Sequence, residues 1–185
     1  MMKADAPPIA GVPRDYMIVL PEGWYRIPLE PGPRERAIRE LVNRQFGGLS
    51  NVPRLKTQLR QLLTERAEAA WRVGGIELYL SLMTAGPLPL AASLVITLIP
   101  PPPSGPLTAE ELAAGRGTPD RSAEMKELGA GAAVFSQPQP GSLDVHLRVP
   151  GSGAWLLLSF ATPVEALAEP MRTLFTAIAE TLRWT

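Results

Sequence analysis

Residues 132–163, AAVFSQPQPGSLDVHLRVPGSGAWLLLSFATP, decide the fold of this chain. Three short apolar runs, 132–136, 143–149 and 155–160, are separated by Gln137-Pro138-Gln139-Pro140-Gly141 and by Pro150-Gly151-Ser152-Gly153. Proline presets φ and glycine supplies positive φ, so both separators read as turns and the three runs as strands in hairpin succession. In the middle run Leu143, Val145, Leu147 and Val149 alternate with Asp144, His146 and Arg148. That period of two predicts one face turned inward and a polar face turned out to solvent. The last run, Trp155 to Phe160, is apolar on both faces and is expected at the centre of a sheet covered on both sides. Directly after it, Thr162-Pro163-Val164-Glu165 offers an N-cap, a proline at the first helical position and a glutamate two positions on, a strong helix start. Pro170 then predicts a kink or short turn before a final helix with Met171, Leu174, Phe175, Ile178 and Leu182 on its buried face.

Working outward, the chain opens with two extended segments, 15–20 and 24–29, around Pro21-Glu22-Gly23, read as a hairpin or one bent strand. Apolar residues spaced three and four apart then give two helices, 33–46 and 53–73, each with proline at its start and glycine beyond its end; Asn51 is the expected cap of the second. From Ile76 the period becomes two, giving strands around 76–82 and 94–98. Four prolines at 100–103 begin a loop-like region to about 130. Inside it Thr108 with Glu111 has capping-box spacing for a short helix, and helical character is expected again around 122–128. The order β(β)ααββ(α)βββα is an α+β domain over residues 15–185, an antiparallel sheet of about six strands with helices packed on it, preceded by a flexible segment 1–14.

Three motifs together, Leu20-Pro21-x-Gly23-Trp24, Ser159-Phe160-x-Thr162-Pro163 and the closing Thr181-Leu182-Arg183-Trp184, resemble PsbP-like proteins. The resemblance implies an antiparallel α+β fold and, since many members of that family act by binding proteins, a protein-binding role. The chain departs from the pattern in its two consecutive helices after the first strands, and the resemblance carries over no functional residue.

Composition narrows the chemistry. There is no cysteine and one histidine, His146, so thiolate sites, disulfides and cysteine nucleophiles are excluded. His146 shares a strand face with Asp144 and Arg148, but no Gly-x-Ser-x-Gly or comparable nucleophile motif accompanies it, so a polar strand face is the simpler reading. Neither a metal site nor a cofactor is expected: carboxylates are scattered, and Gly115-Arg116-Gly117 and Gly129-Ala130-Gly131 match no phosphate-binding spacing. Eighteen basic and eighteen acidic residues cancel, which removes the global field that nucleic acid or an anionic membrane requires. The longest apolar stretch, 88–99, is far short of the roughly 20 residues of a membrane span. Without a secretory leader or cysteine a cytoplasmic location is expected, and fifteen arginines against three lysines suit a bacterial genome rich in G and C.

One asymmetry remains. Residues 34–72 carry nine basic and four acidic side chains, an excess of five in a neutral chain. Arginine forks suit carboxylate recognition, so Arg36, Arg39 and Arg60 are the candidate partner-binding residues. The four tryptophans, Trp24, Trp71, Trp155 and Trp184, are read as packing residues unless exposed together. The expected function is non-enzymatic: a protein-binding or accessory protein of adaptor or chaperone type. The alternatives are a small-molecule binder or enzyme with a cavity between sheet and helices, and a structural subunit of a larger assembly.

Overall fold

A computed structural model describes residues 15–47, 52–85, 88–89, 91–114 and 124–185; the segment 1–14 and Asn51 lie outside the described residues. In chain order the elements are β1 (Tyr16–Met17), β2 (Trp24–Pro28), α1 (Pro33–Gln45), α2 (Pro53–Arg72), β3 (Gly75–Ser81), β4 (Thr84–Ala85) and β5 (Leu88–Pro89). They continue with β6 (Ser93–Ile99), α3 (Ala109–Ala114), β7 (Glu124–Leu128), β8 (Gly131–Ser136), β9 (Ser142–Arg148), β10 (Trp155–Ala161), α4 (Ala168–Glu180) and β11 (Arg183–Trp184). Seven strands form one sheet, in the order β2-β3-β6-β10-β9-β8-β7, with every neighbour antiparallel. The doubly apolar β10 takes the middle place, as its composition requires.

The sheet is covered on both faces. On one, Leu94 and Ile96 of β6, Val145 and Leu147 of β9 and Leu156, Leu158 and Phe160 of β10 pack against Met171, Phe175, Ile178 and Leu182 at the C-terminal end of the chain. On the other, over β2 and β3, Ile27, Leu29 and Leu78 pack against Ile38, Leu41 and Val42 of α1 and Leu63 and Ala67 of α2. Each fully buried aliphatic side chain contributes about 1.5–3 kcal/mol, so both layers hold the domain together.

Several expectations are corrected. The antiparallel sheet, expected with about six strands, has seven, and the helical character expected around 122–128 is corrected: Glu-Met-Lys-Glu-Leu at 124–128 pairs with β8 as an edge strand, its charges facing water and its pairing overriding a helix-forming composition. The two opening segments do not form a hairpin. β1 pairs with β11, and β2 pairs with β3, so the chain closes on a short strand and not on the last helix. Thr162 does not start α4 directly; its Oγ1 accepts from the Val164 N–H at 3.3 Å and donates to the Ala91 carbonyl at 2.8 Å, and a 3-10 turn at Glu165–Leu167 precedes α4. That turn is the expected interruption near Pro170. At Thr108 the capping box is present, with reciprocal bonds of 2.7 and 3.2 Å to Glu111.

The largest correction concerns His146. Its side chain is fully buried, Asp144 is 6% exposed, and only Arg148 of the three reaches solvent. His146 lies in register between Val134 and Leu157, and Asp144 between Ser136 and Ser159. On the same face Trp155 Nε1 donates to the Leu107 carbonyl at 3.1 Å, α3 lies against β8, and Leu112 of α3 is buried. The strand pattern identifies two faces but cannot tell that the polar one is buried.

Candidate functional site

The helical hairpin α1–α2 carries the positive excess, and its geometry sorts those charges. Pro33 and Pro53 start the two helices, where a missing N–H costs nothing. Arg34 is spent on structure: it is 7% exposed, its Nη1 donates to the Leu29 carbonyl at 3.4 Å, and its Nη2 pairs with Glu68 of α2 at 3.3 Å. Seven other arginines, at 36, 39, 44, 54, 60, 66 and 72, are exposed, and none of them forms an ion pair among the described residues. Arg36 and Arg39 stand on the outer side of α1, three residues apart and away from the buried Ile38, Leu41 and Val42. Arg60 stands exposed on α2. The three candidates are therefore divided between the two helices of the hairpin.

Sequence reading missed what accompanies those charges. Leu55, Leu62, Trp71 and Val73 are 52, 45, 41 and 67% exposed, so the same hairpin presents apolar and cationic side chains together. Helical spacing groups Leu55 and Leu62 with Leu59, Leu63 and Ala70 on one face and so predicts them buried; the structure corrects this, because the domain covers α2 on the side of Leu59, Leu63, Ala67 and Ala70 and leaves Leu55 and Leu62 at its exposed margin.

A cleft of about 580 Å³ opens beside the C-terminal end of α1, lined by Gly23, Trp24, Tyr25, Arg44, Gln45 and Leu82. Gly23 turns the chain there with φ 92°, and its carbonyl accepts from the Leu82 N–H at 2.7 Å. Tyr25 ties strand to helix by donating to the Ala37 carbonyl at 3.2 Å. Its phenol is held above the usual range by burial and by the Glu40 carboxylate.

On the α4 side of the sheet, Glu77 gathers a polar knot. Tyr16 and Tyr79 both donate to its Oε2, at 2.9 and 2.7 Å, and Arg26 forms an ion pair with Oε1. Burial first, and then the Glu77 carboxylate, pushes both phenols well above their ordinary range. Every member has a partner and the knot ties β1 to the sheet, so it reads as structure. Among the described residues no group of three or more His, Asp or Glu is placed to hold a metal ion.

By sequence, the chain matches no protein-family description and no curated protein. Its structure is similar to the solution structure of cyanobacterial PsbP (CyanoP) from Synechocystis sp. PCC 6803, covering 100% of this chain and 99% of that chain at 13% identity with a TM-score of 0.46. The antiparallel α+β architecture rests on the strand pairing described above.

Proposed function

We propose that this protein is a non-enzymatic accessory protein of the bacterial cytoplasm that binds an acidic protein partner through the exposed face of its α1–α2 hairpin, with Arg36, Arg39 and Arg60 making the contacts. The observation that carries this reading is the set of seven exposed arginines, none with an ion pair among the described residues, on an element whose buried side already holds it to the sheet. Residues 34–72 have nine basic and four acidic side chains, so the other 146 positions of this neutral chain carry the balancing excess of five acidic ones. Such a segregated charge steers a partner of opposite sign and gains nothing for folding. No described helix is long and apolar enough to cross a membrane.

Site-specific photo-crosslinking in the native host tests the reading. A photoreactive residue at Arg39 is expected to yield a reproducible acidic protein adduct, and one at the exposed Thr173 of α4 is not. Equal labelling from both positions, or none from Arg39, argues against it.

The cleft beside α1 favours a second reading, a small-molecule binder: Arg44, Gln45 and Tyr25 bring a cation, an amide and a phenol to one opening between sheet and helices. A thermal-shift screen with small carboxylates tests this, and loss of any hit in Arg44→Gln would support it.

A further inference from the structure

We infer that the outer flank of α2 docks an acidic amphipathic helix, an inference that rests on the protein-binding reading above and names the form of the partner. Leu55 and Leu62 of α2 are exposed and seven residues apart, two helical turns, so they lie in one line along α2, and the exposed Val73 at its C-cap stands at the end of that line. At 1.5 Å per residue the line is about 27 Å long. Ala69 continues it between Leu62 and Val73. The apolar set that holds α2 to the domain, Leu63 and Ala67 with Leu59 and Ala70, is a different one, so folding does not account for this line.

Charge selects the occupant. The charged residues beside the line are Arg54, Arg66 and Arg72 against Glu65, all four exposed, and none of the three arginines has an ion pair among the described residues. A second copy packed symmetrically on the same flank would bring these arginines against their own counterparts, and like charges facing one another are destabilising. An anionic membrane needs a wide continuous apolar face on a helix of low net hydrophobicity, and here the widest apolar face is already buried on the sheet. What fits is a helix with its own apolar residues repeating at three and four, bordered by Asp or Glu, over roughly 18 residues.

The experiment uses the full chain and a fluorescent 18-residue probe with leucines on one face and glutamates on the others. Controls are the same peptide with scrambled order and the version with lysine in place of glutamate. The glutamate helix is expected to bind, both controls to fail, and binding to weaken as salt rises. Leu55→Glu with Leu62→Glu should lower affinity by about tenfold or more, since loss of a central apolar anchor has effects of that size. Leu55→Ser with Leu62→Ser removes the contact without adding charge and should also weaken binding. Both sites are exposed, so circular dichroism should show an unchanged fold. Unchanged affinity in both double variants overturns the proposal. So does concentration-dependent dimerisation of the wild type that these variants abolish, or equal binding of anionic vesicles. If the leucine variants bind the probe normally while reversal of Arg36, Arg39 and Arg60 still removes the native partner, this inference fails and the broader reading stands. If neither has any effect, both fail.

Discussion

Phe175→Ala tests whether α4 is part of the core. Phe175 is 1% exposed and stacks on Phe160 of β10, with ring centroids 4.9 Å apart and planes at 19°. A buried aromatic side chain removes roughly 150–250 Å² from water, which at about 25 cal/mol per Å² gives roughly 4–6 kcal/mol for the whole side chain. Alanine keeps a small part, and a compact unfolded chain lowers the figure by roughly 10–40%. The cavity left behind and the lost ring pair act in the other direction, so the expected cost is about 3–5 kcal/mol, the usual range for Phe→Ala in a core. For a domain of this size each kcal/mol lowers Tm by roughly 2–4 °C, so a fall of about 10 °C is expected. Urea denaturation followed by far-UV circular dichroism gives the free energy, and the neighbouring half-buried Leu174→Ala should cost much less, about 1 kcal/mol. A loss below about 1 kcal/mol for Phe175→Ala would refute the packing argument.

Three further outcomes follow from the same structure. All three tyrosines are held above the ordinary phenol range, so their neutral forms stabilise the fold fully below about pH 10, and that contribution is lost as pH rises above the unfolded value. An absorbance titration should show native phenolate lagging behind a urea-denatured sample; coincident curves would contradict the Glu77 knot. His146, with no exposed surface, should resist an imidazole-acylating reagent until the protein unfolds, and rapid native modification would mean that its face is open. Trp155→Phe keeps the ring but removes the donor to the Leu107 carbonyl, so it should cost about 1 kcal/mol and speed amide exchange selectively around residues 100–108. Exchange unchanged there would show that this bond does not hold the proline-rich segment.

The strands between Gly131 and Ala161 were legible because their signals are local. Alternation, two glycine-proline turns and a doubly apolar run determine three neighbours and put β10 in the middle. The pairing of β1 with β11 was not legible, since Tyr16 and Trp184 meet across almost the whole chain and nothing near either predicts the other. Burial of Asp144 and His146 was hidden because alternation distinguishes two faces of a strand without saying whether the polar one meets solvent. For the hairpin, the positive excess could be counted from sequence, and so could the candidates Arg36, Arg39 and Arg60. That Arg34 is buried against Glu68, and that Leu55 and Leu62 stay exposed, depends on which side of each helix the sheet occupies.

The most direct test of the hairpin as a docking surface is quantitative capture from the native host with three forms of the full chain. These are the wild type, the triple reversal of Arg36, Arg39 and Arg60 to glutamate, and the triple change of the same residues to lysine. All three positions are exposed, so stability should change by no more than about 0.5 kcal/mol per site, checked by circular dichroism. The account predicts that the wild type retains an acidic partner that elutes as salt rises, that the lysine form retains it more weakly, and that the glutamate form loses it. A well-folded glutamate form that retains the full set of partners at low salt would contradict the account and leave these arginines as an ordinary solvated helix face.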